Sequence, residues 1–373
     1  DAIVLRLAGD LSSVLNWTYL GGTGHDLRTG PIIGTGNMYI DASGNVFLAD
    51  RTWSIDFPLE GSPVRSEMSG GGFESFVSKL DANLSRLLAS TYIGGSSYDD
   101  GPPAMTVGPN GTVFVTGWTS SDDLPTTPGA LRDGLCMNAN GDGFLIMLDN
   151  DLASVQYCTY LGGGAMDSGV HIALGPSGTD LYILGDTESS GLHTSGAFDI
   201  RHEDRDVILW ELNLTTMKPT YVTYIGGEER DMSQALLVGP DGMVYVTAYT
   251  HSSDMFTLPG SYHPDMWGTR DAYMAKLDPT PCGPPLSPTN FTLTYDWCGE
   301  LNRYLWRLTW DEPPFNGSRI LNVKVYERMA KPGEFWKLIG TEWWDDDIHL
   351  GELWLDTDEP GILFDLRITL ENS

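Results

Sequence analysis

One carboxylate recurs through this chain at a fixed place. Asp26, Asp99, Asp167 and Asp231 each lie four residues beyond the second glycine of a Gly-Gly pair. A repeated aspartate could gather into a ring and hold a cation such as calcium, which takes oxygen ligands. It could instead accept local backbone amides and shape a turn, as aspartate does in Asx turns. Recurrence once per unit favours the turn. The stretch Asn138-Ala139-Asn140-Gly141-Asp142-Gly143 offers oxygens at alternate positions, with glycine at the sixth and Asp149 at the twelfth, like the start of a calcium loop. Residues 144–149 read as a repeat strand, however, so the chain cannot curl around an ion there. Asp345-Asp346-Asp347, behind Trp343-Trp344, reads as a solvated loop.

Other chemistries find no convergent residues. The 7 histidines are scattered, without H-x-H or H-E-x-x-H, and Gly-x-Ser-x-Gly is absent. The glycine pairs lack the lysine of a phosphate loop. No catalytic residue, metal ligand or cofactor is assigned on this basis, calcium being the one ion the acids could take, and no enzyme is expected. The loop aromatics Trp118, Tyr249 and Trp267 could stack on sugars, although packing between sheets is the commoner use of such residues.

Two modification chemistries are better supported. N-x-[ST] acceptors begin at Asn16, Asn83, Asn110, Asn213, Asn290 and Asn316, and such triplets mark exposed asparagines in secreted proteins. The four cysteines, Cys136, Cys158, Cys282 and Cys298, form no C-x-x-C. Of the three possible connectivities, only Cys136–Cys158 with Cys282–Cys298 crosslinks within putative domains, and such bridges imply an oxidising compartment.

The charge balance favours solubility, a cationic partner or divalent ions, or simply a solvated surface in a salty or acidic habitat. Acids outnumber bases 51 to 21, for a net charge of −30, which repels nucleic acid and anionic membranes. No apolar run approaches the roughly 18 residues of a membrane helix. The chain opens directly on a strand-like run, as a mature or trimmed form would, which says nothing against secretion.

The elements that must carry these residues repeat. Tyr19-Leu20-Gly21-Gly22 recurs at Tyr92, Tyr160 and Tyr224, at spacings of 73, 68 and 64 residues. A hairpin signal follows each copy: Asp41 to Gly44, Gly108 to Gly111, Gly175 to Gly178 and Gly239 to Gly242. Strands rich in β-branched and aromatic residues come next, then a Pro/Thr/Gly loop. The unit closes with an acid-led strand starting at Asp1, Glu74, Asp142, Asp206 and Asp271. A unit of about four short strands in tandem predicts a β-propeller of four repeats, four-bladed, either closed or incomplete, with a solenoid as the alternative. Only the acid-led strand occurs five times. One terminal copy is therefore supernumerary and could pair with another molecule, giving self-assembly by N-terminal strand sharing.

These strings resemble the SBBP-type β-propeller repeat. The residues that carry the resemblance are Tyr160-Leu161-Gly162-Gly163, Val113-Phe114-Val115-Thr116-Gly117, Leu124-Pro125-Thr126-Thr127-Pro128-Gly129-Ala130 and Asp271-Ala272-Tyr273-Met274-Ala275-Lys276-Leu277. The resemblance covers residues 1–278 and implies a bacterial or archaeal surface or secreted protein, with no catalytic residue to transfer. The first unit departs from it, reading Leu48-Ala49-Asp50-Arg51 where a later one reads Val115-Thr116-Gly117-Trp118.

Residues 279–288 form a proline-rich linker. Residues 289–373 resemble a fibronectin type III domain, an immunoglobulin-like sandwich, through Leu308-Thr309-Trp310-Asp311-Glu312-Pro313-Pro314 and Pro360 to Ile368. Phe364 stands where that family usually carries a corner tyrosine. The function expected from all this is that of an extracellular structural glycoprotein, a building block of a filament, sheath or surface layer, or an adhesin. The alternative is a polysaccharide-binding or polysaccharide-degrading propeller. Partners would be further copies, other surface proteins or glycans.

Overall fold

The computed structural model describes residues 1–279, apart from 27–36, 69–71, 98–102, 137–140, 195–196, 258–260 and 264–265. Beyond them it describes only the backbone of six strands. Two compact units result, Asp1–Pro279 and Thr280–Ser373.

Alternation of apolar residues along short segments makes every described element a strand. β1 (Ala2–Leu7) and β2 (Val14–Leu20) form a leading hairpin. Three four-stranded antiparallel sheets follow. The first holds β3 (Met38–Ile40), β4 (Val46–Thr52), β5 (Glu74–Leu80) and β6 (Leu87–Ile93). The second holds β7 (Ala104–Val107), β8 (Val113–Thr119), β9 (Asp142–Leu148) and β10 (Val155–Leu161). The third holds β11 (Asp167–Leu174), β12 (Asp180–Thr187), β13 (Asp206–Asn213) and β14 (Lys218–Ile225). A last sheet has three strands, β15 (Asp231–Val238), β16 (Val244–Thr250) and β17 (Asp271–Leu277).

This is an all-β chain of small antiparallel sheets, and the described residues show no closed propeller. The phase of the repeat also differs from the one read in the sequence. The Tyr-x-Gly-Gly strand ends each sheet instead of opening it, and the acid-led strand is third. The leading hairpin is thus a third and a fourth strand, and the last sheet is a first, second and third.

Stacking has one polarity throughout. Val77 and Ile93 of the first sheet share a core with Phe144, Ile146 and Tyr160 of the second. Leu145 and Leu161 of the second share one with Ile208, Trp210 and Tyr224 of the third. Leu209 and Ile225 of the third meet Val246 and Ala248 of the last. In the same sense, Ala2 and Leu20 of the hairpin pack with Phe76 and Tyr92 of the first sheet. Residues alternate across each strand, so one face of every sheet looks forward and the other back.

The turn joining third and fourth strands repeats an unusual backbone. Leu11, Leu84, Leu152 and Met217 all sit there in the left-handed region, at φ 58°, 55°, 55° and 54°, which disfavours side chains larger than glycine. Burial of the side chain offsets that cost at Leu84 (6% exposed) and Leu152 (0%), whereas Leu11 is 75% exposed.

In the second unit, β18 (Thr289–Cys298), β19 (Arg303–Asp311) and β22 (Gly351–Thr357) form one sheet. β20 (Asn322–Met329), β21 (Lys337–Trp343) and β23 (Phe364–Glu371) form another, with β20 central. Linker residues 280–288, Asn316 and Asp345 to Asp347 lie outside the described residues, Cys282 among them, and Asn290 and Cys298 are placed only as backbone in β18.

These turns make the fold's own control experiment. Leu152→Ala keeps the left-handed backbone and leaves a cavity, so it is expected to lower stability by about 3 kcal/mol. Leu11→Ala, at an exposed copy of the same turn, is expected to change it by less than about 0.5 kcal/mol. Urea unfolding of the two variants checks the difference. Equal losses would mean that burial does not set the cost of this turn.

Candidate functional site

The recurrent aspartates fall at the crossings from one sheet to the next. Asp167 opens β11, just after the Gly162-Gly163 pair that ends β10. Its carboxylate accepts from the Gly163 amide at 2.7 Å, from Ser189 Oγ at 2.7 Å and from the Thr187 hydroxyl. Asp26 accepts in the same way from Gly22 N (2.9 Å), Ser54 Oγ (2.8 Å) and Thr52. Asp231 accepts from Gly227 N and Ser252 Oγ, both at 2.9 Å. One carboxylate thus ties the end of one sheet, the start of the next, and the turn leaving that sheet's second strand. Asp99 lies outside the described residues.

The sequence carries a further signal at these turns, made of common residue types. Thr52-Trp53-Ser54-Ile55-Asp56 matches Thr119 to Asp123 and Thr250 to Asp254, and Thr187-Glu188-Ser189 begins a fourth copy. The Thr hydroxyl takes the Ser amide in all four, at 2.8–2.9 Å. The final aspartate binds the amide just past the glycine pair: Asp56 to Thr23 N at 2.8 Å, Asp123 to Ser96 N at 2.7 Å and Asp254 to Glu228 N at 3.0 Å. This close approach explains the second glycine. A Cβ on Gly227 would lie 2.3 Å from Asp254 Oδ1.

A second acid stands beside the first, at the head of each third strand. Arg65 lies 3.6 Å from Glu74 in the first sheet, and Arg132 lies 3.2 Å from Asp142 in the second. Burial still pushes the Asp142 carboxyl up to about 6, against the pull of the Cys136 amide and Arg132. The third sheet breaks the pattern. Arg65, Arg132 and Asp199 each donate their backbone amide to a threonine of the fourth strand, so Asp199 occupies the arginine's position. Asp206 therefore has no ion pair among the described residues. Burial, reinforced by the charges of Asp231, Asp199 and Glu203, pushes its carboxyl up to about 7 despite the Glu203 amide. One oxygen of Asp206 and one of Asp231 are buried without a hydrogen-bond partner. A proton on Asp206 relieves that repulsion.

The disulfide expected between Cys136 and Cys158 is not formed; both are free thiols. Cys158 faces into the packed core between the first and second sheets, and burial pushes its thiol up to about 12. Cys136 is half-buried and directs its amide to Asp142.

Of the sequons, Asn83 and Asn110 are exposed at turns. Asn16 is half-buried on β2 and donates its amide to Asn83 O. Asn213 is half-buried and caps its turn by accepting from Thr215 N and Thr216 N. The loop aromatics divide: Trp118 packs over Gly141, Tyr249 lies under the Arg270 guanidinium, and Trp267 is exposed. Asn138 and Asn140 lie outside the described residues.

Among the described residues no three His, Cys, Asp or Glu side chains are placed to hold a metal ion, and no helix is long and apolar enough to cross a membrane. A cavity of about 200 Å³ opens between the first and second sheets, lined by Arg65, Tyr92, Ile93, Asp123 and Pro125 among others. It falls below the ~300–1,000 Å³ usual for small-molecule clefts.

Stacked antiparallel sheets crossed by a repeated acid turn define an all-β repeat protein. The SBBP family, a beta-propeller repeat, matches residues 90–125. The match runs from β6 through the Gly94-Gly95 crossing and β8 to Leu124-Pro125. No curated protein matches the chain.

Two buried acids give the stability a direction with pH. Asp206 and Asp142 hold their protons to about 7 and about 6 in the folded chain, against a value near 4 when unfolded. Between those values the folded state binds more protons, so stability is full below about 4 and falls as pH rises toward 7. Asp206→Asn, which removes the charge, is expected to raise stability at pH 8 by on the order of 2 kcal/mol and to flatten the decline. Thermal unfolding from pH 5 to 8 measures it. A loss of stability at pH 8 would show that the Asp206 charge is compensated.

Proposed function

We propose that this chain is an extracellular or cell-surface structural glycoprotein: a building block of a filament, sheath or surface layer, or part of an adhesin, working by stacking and display without catalysis. The observation that supports it most is the use of the recurrent polar residues. At each described crossing Asp, Thr and Ser bond the turn that joins two sheets, a chemistry that extends a stack. The other features agree. Asn83 and Asn110 present their side chains to solvent, where a glycan meets no neighbour. The net charge of −30 keeps such a surface soluble. SBBP-type repeats imply the same location. We read the second unit as a fibronectin type III-like sandwich that spaces or docks the first.

A second reading, polysaccharide binding, has one observation of its own. Tyr262 and Trp267 are exposed, and the His263 ring stands 4.1 Å from that of Trp267, edge-on. Such rings stack on sugar faces. Glycan-array binding that is lost in Trp267→Ala would favour it.

For the structural reading, the native protein is expected on the cell surface, with an intact mass above that of the bare polypeptide. Asn83→Gln and Asn110→Gln should each remove one increment. A bare mass, together with retention inside the cell, defeats the reading.

A further inference from the structure

We infer that a second copy of this chain completes the last sheet: β2 of one copy takes the empty fourth-strand place beside β17 of another, where β17 displaces β1. The inference rests on the assembling role proposed above and names its contact.

The repeats supply internal controls. Tyr19 is 59% exposed, while its equivalents Tyr92, Tyr160 and Tyr224 are exposed by 1%, 0% and 0%. Each of those three donates its hydroxyl to a serine carbonyl in its own sheet: Ser54, Ser121 and Ser189. Ser252 makes the same turn in the last sheet, where no fourth strand brings a tyrosine. The other end is the mirror case. Met274 on β17 is 74% exposed, whereas Val77, Leu145 and Leu209 at that position are fully buried by the following sheet. Among the described residues, the leading hairpin lacks what the last sheet has, and the last sheet lacks a fourth strand.

β1 and β17 are two versions of the third strand. Ala2 and Val4 of β1 pack onto the first sheet, and Ala272 and Met274 occupy the same positions on β17. One register relates third and fourth strands in every pairing: Ile3 faces Tyr19, Phe76 faces Tyr92, Phe144 faces Tyr160 and Ile208 faces Tyr224. The same register sets Tyr273 of one copy against Tyr19 of the other. Exchange replaces one antiparallel ladder by another, so backbone hydrogen bonds are conserved. Trp17 and Tyr19 then reach the forward face of the third sheet, and Met274 reaches the back face of the first. That added burial drives the exchange. The contact joins two different surfaces, so it runs head to tail and can propagate.

The test uses the full chain at roughly 0.5 M salt, which screens repulsion between copies of so acidic a protein. Sedimentation velocity is expected to show a concentration-dependent series of oligomers. Tyr19→Asp and Met274→Asp, both at exposed positions, should each weaken association roughly tenfold or more. Mixed together they should form dimers and nothing longer, because each retains the surface the other has lost. Deleting residues 1–8 vacates the place beside β2 and should strengthen association. Monomers at every concentration, a mixture that stays monomeric, or a deletion that abolishes assembly would each overturn the inference. The last outcome would make β1 the donated strand, and a stable compact monomer would mean closure within one chain. Surface location and glycan mass do not depend on this contact, so a failure here leaves the proposed function standing.

Discussion

A buried carboxylate stands at each described crossing from one sheet to the next, and the order of the first unit depends on it. Taking an aspartate out of water is costly unless its oxygens are filled. At Asp167 burial raises the carboxyl above its ordinary range even though Thr187, Gly163 and Ser189 all donate to it. Those donors lie on three separate segments. The carboxylate can be satisfied only when the glycine pair, the first strand and the turn after the second strand are all in place. The crossing therefore forms as a unit or not at all, which gives a chain of nearly identical strands a defined order of stacking.

The sheets themselves demand that order. Each presents apolar residues on both faces, as the burial of all of β5 and of all but the last residue of β13 shows. Such a sheet has no solvent side, and only a neighbour on each face satisfies it. Stacking in one sense meets the need inside the unit and passes it on to the two ends. There the same residue types that are buried elsewhere stand in solvent, from Ile3 and Tyr19 to Met274. The exposed ends follow from the rule that makes the middle stable.

Much of this was legible in the sequence because it recurs. The fourfold Tyr-x-Gly-Gly string, the hairpins and the acid-led strands locate nearly all strands of the first unit and show that the aspartates repeat with them. What recurrence cannot supply is phase. A period reads the same from any starting point, so the Tyr-x-Gly-Gly strand was taken to open the unit when it closes it. The Thr-x-Ser-x-Asp turn went unused because its residues are common and its meaning lies in bonds to a glycine pair some 30 residues upstream, at separations such as the 33 residues from Thr23 to Asp56. The cysteines mislead for a related reason. Cys136 and Cys158 are near in sequence, but Cys158 replaces an ordinary core residue in β10 and packs as one.

The third crossing shows how a repeat can keep its fold while losing a compensation. Arg65 and Arg132 neutralise the acids at the heads of their third strands, and Asp199 reverses that charge. The backbone bond to threonine survives the change, so geometry does not require arginine there. Arg201 turns to Asp199 instead, and Arg205 reaches toward Asp186 from 3.8 Å. Neither reaches Asp206. The strands stay in place because the glycine pair and its carboxylate hold them. Charge compensation at the second acid is thus separable from the fold, and the crossing tolerates a proton where its neighbours hold a guanidinium.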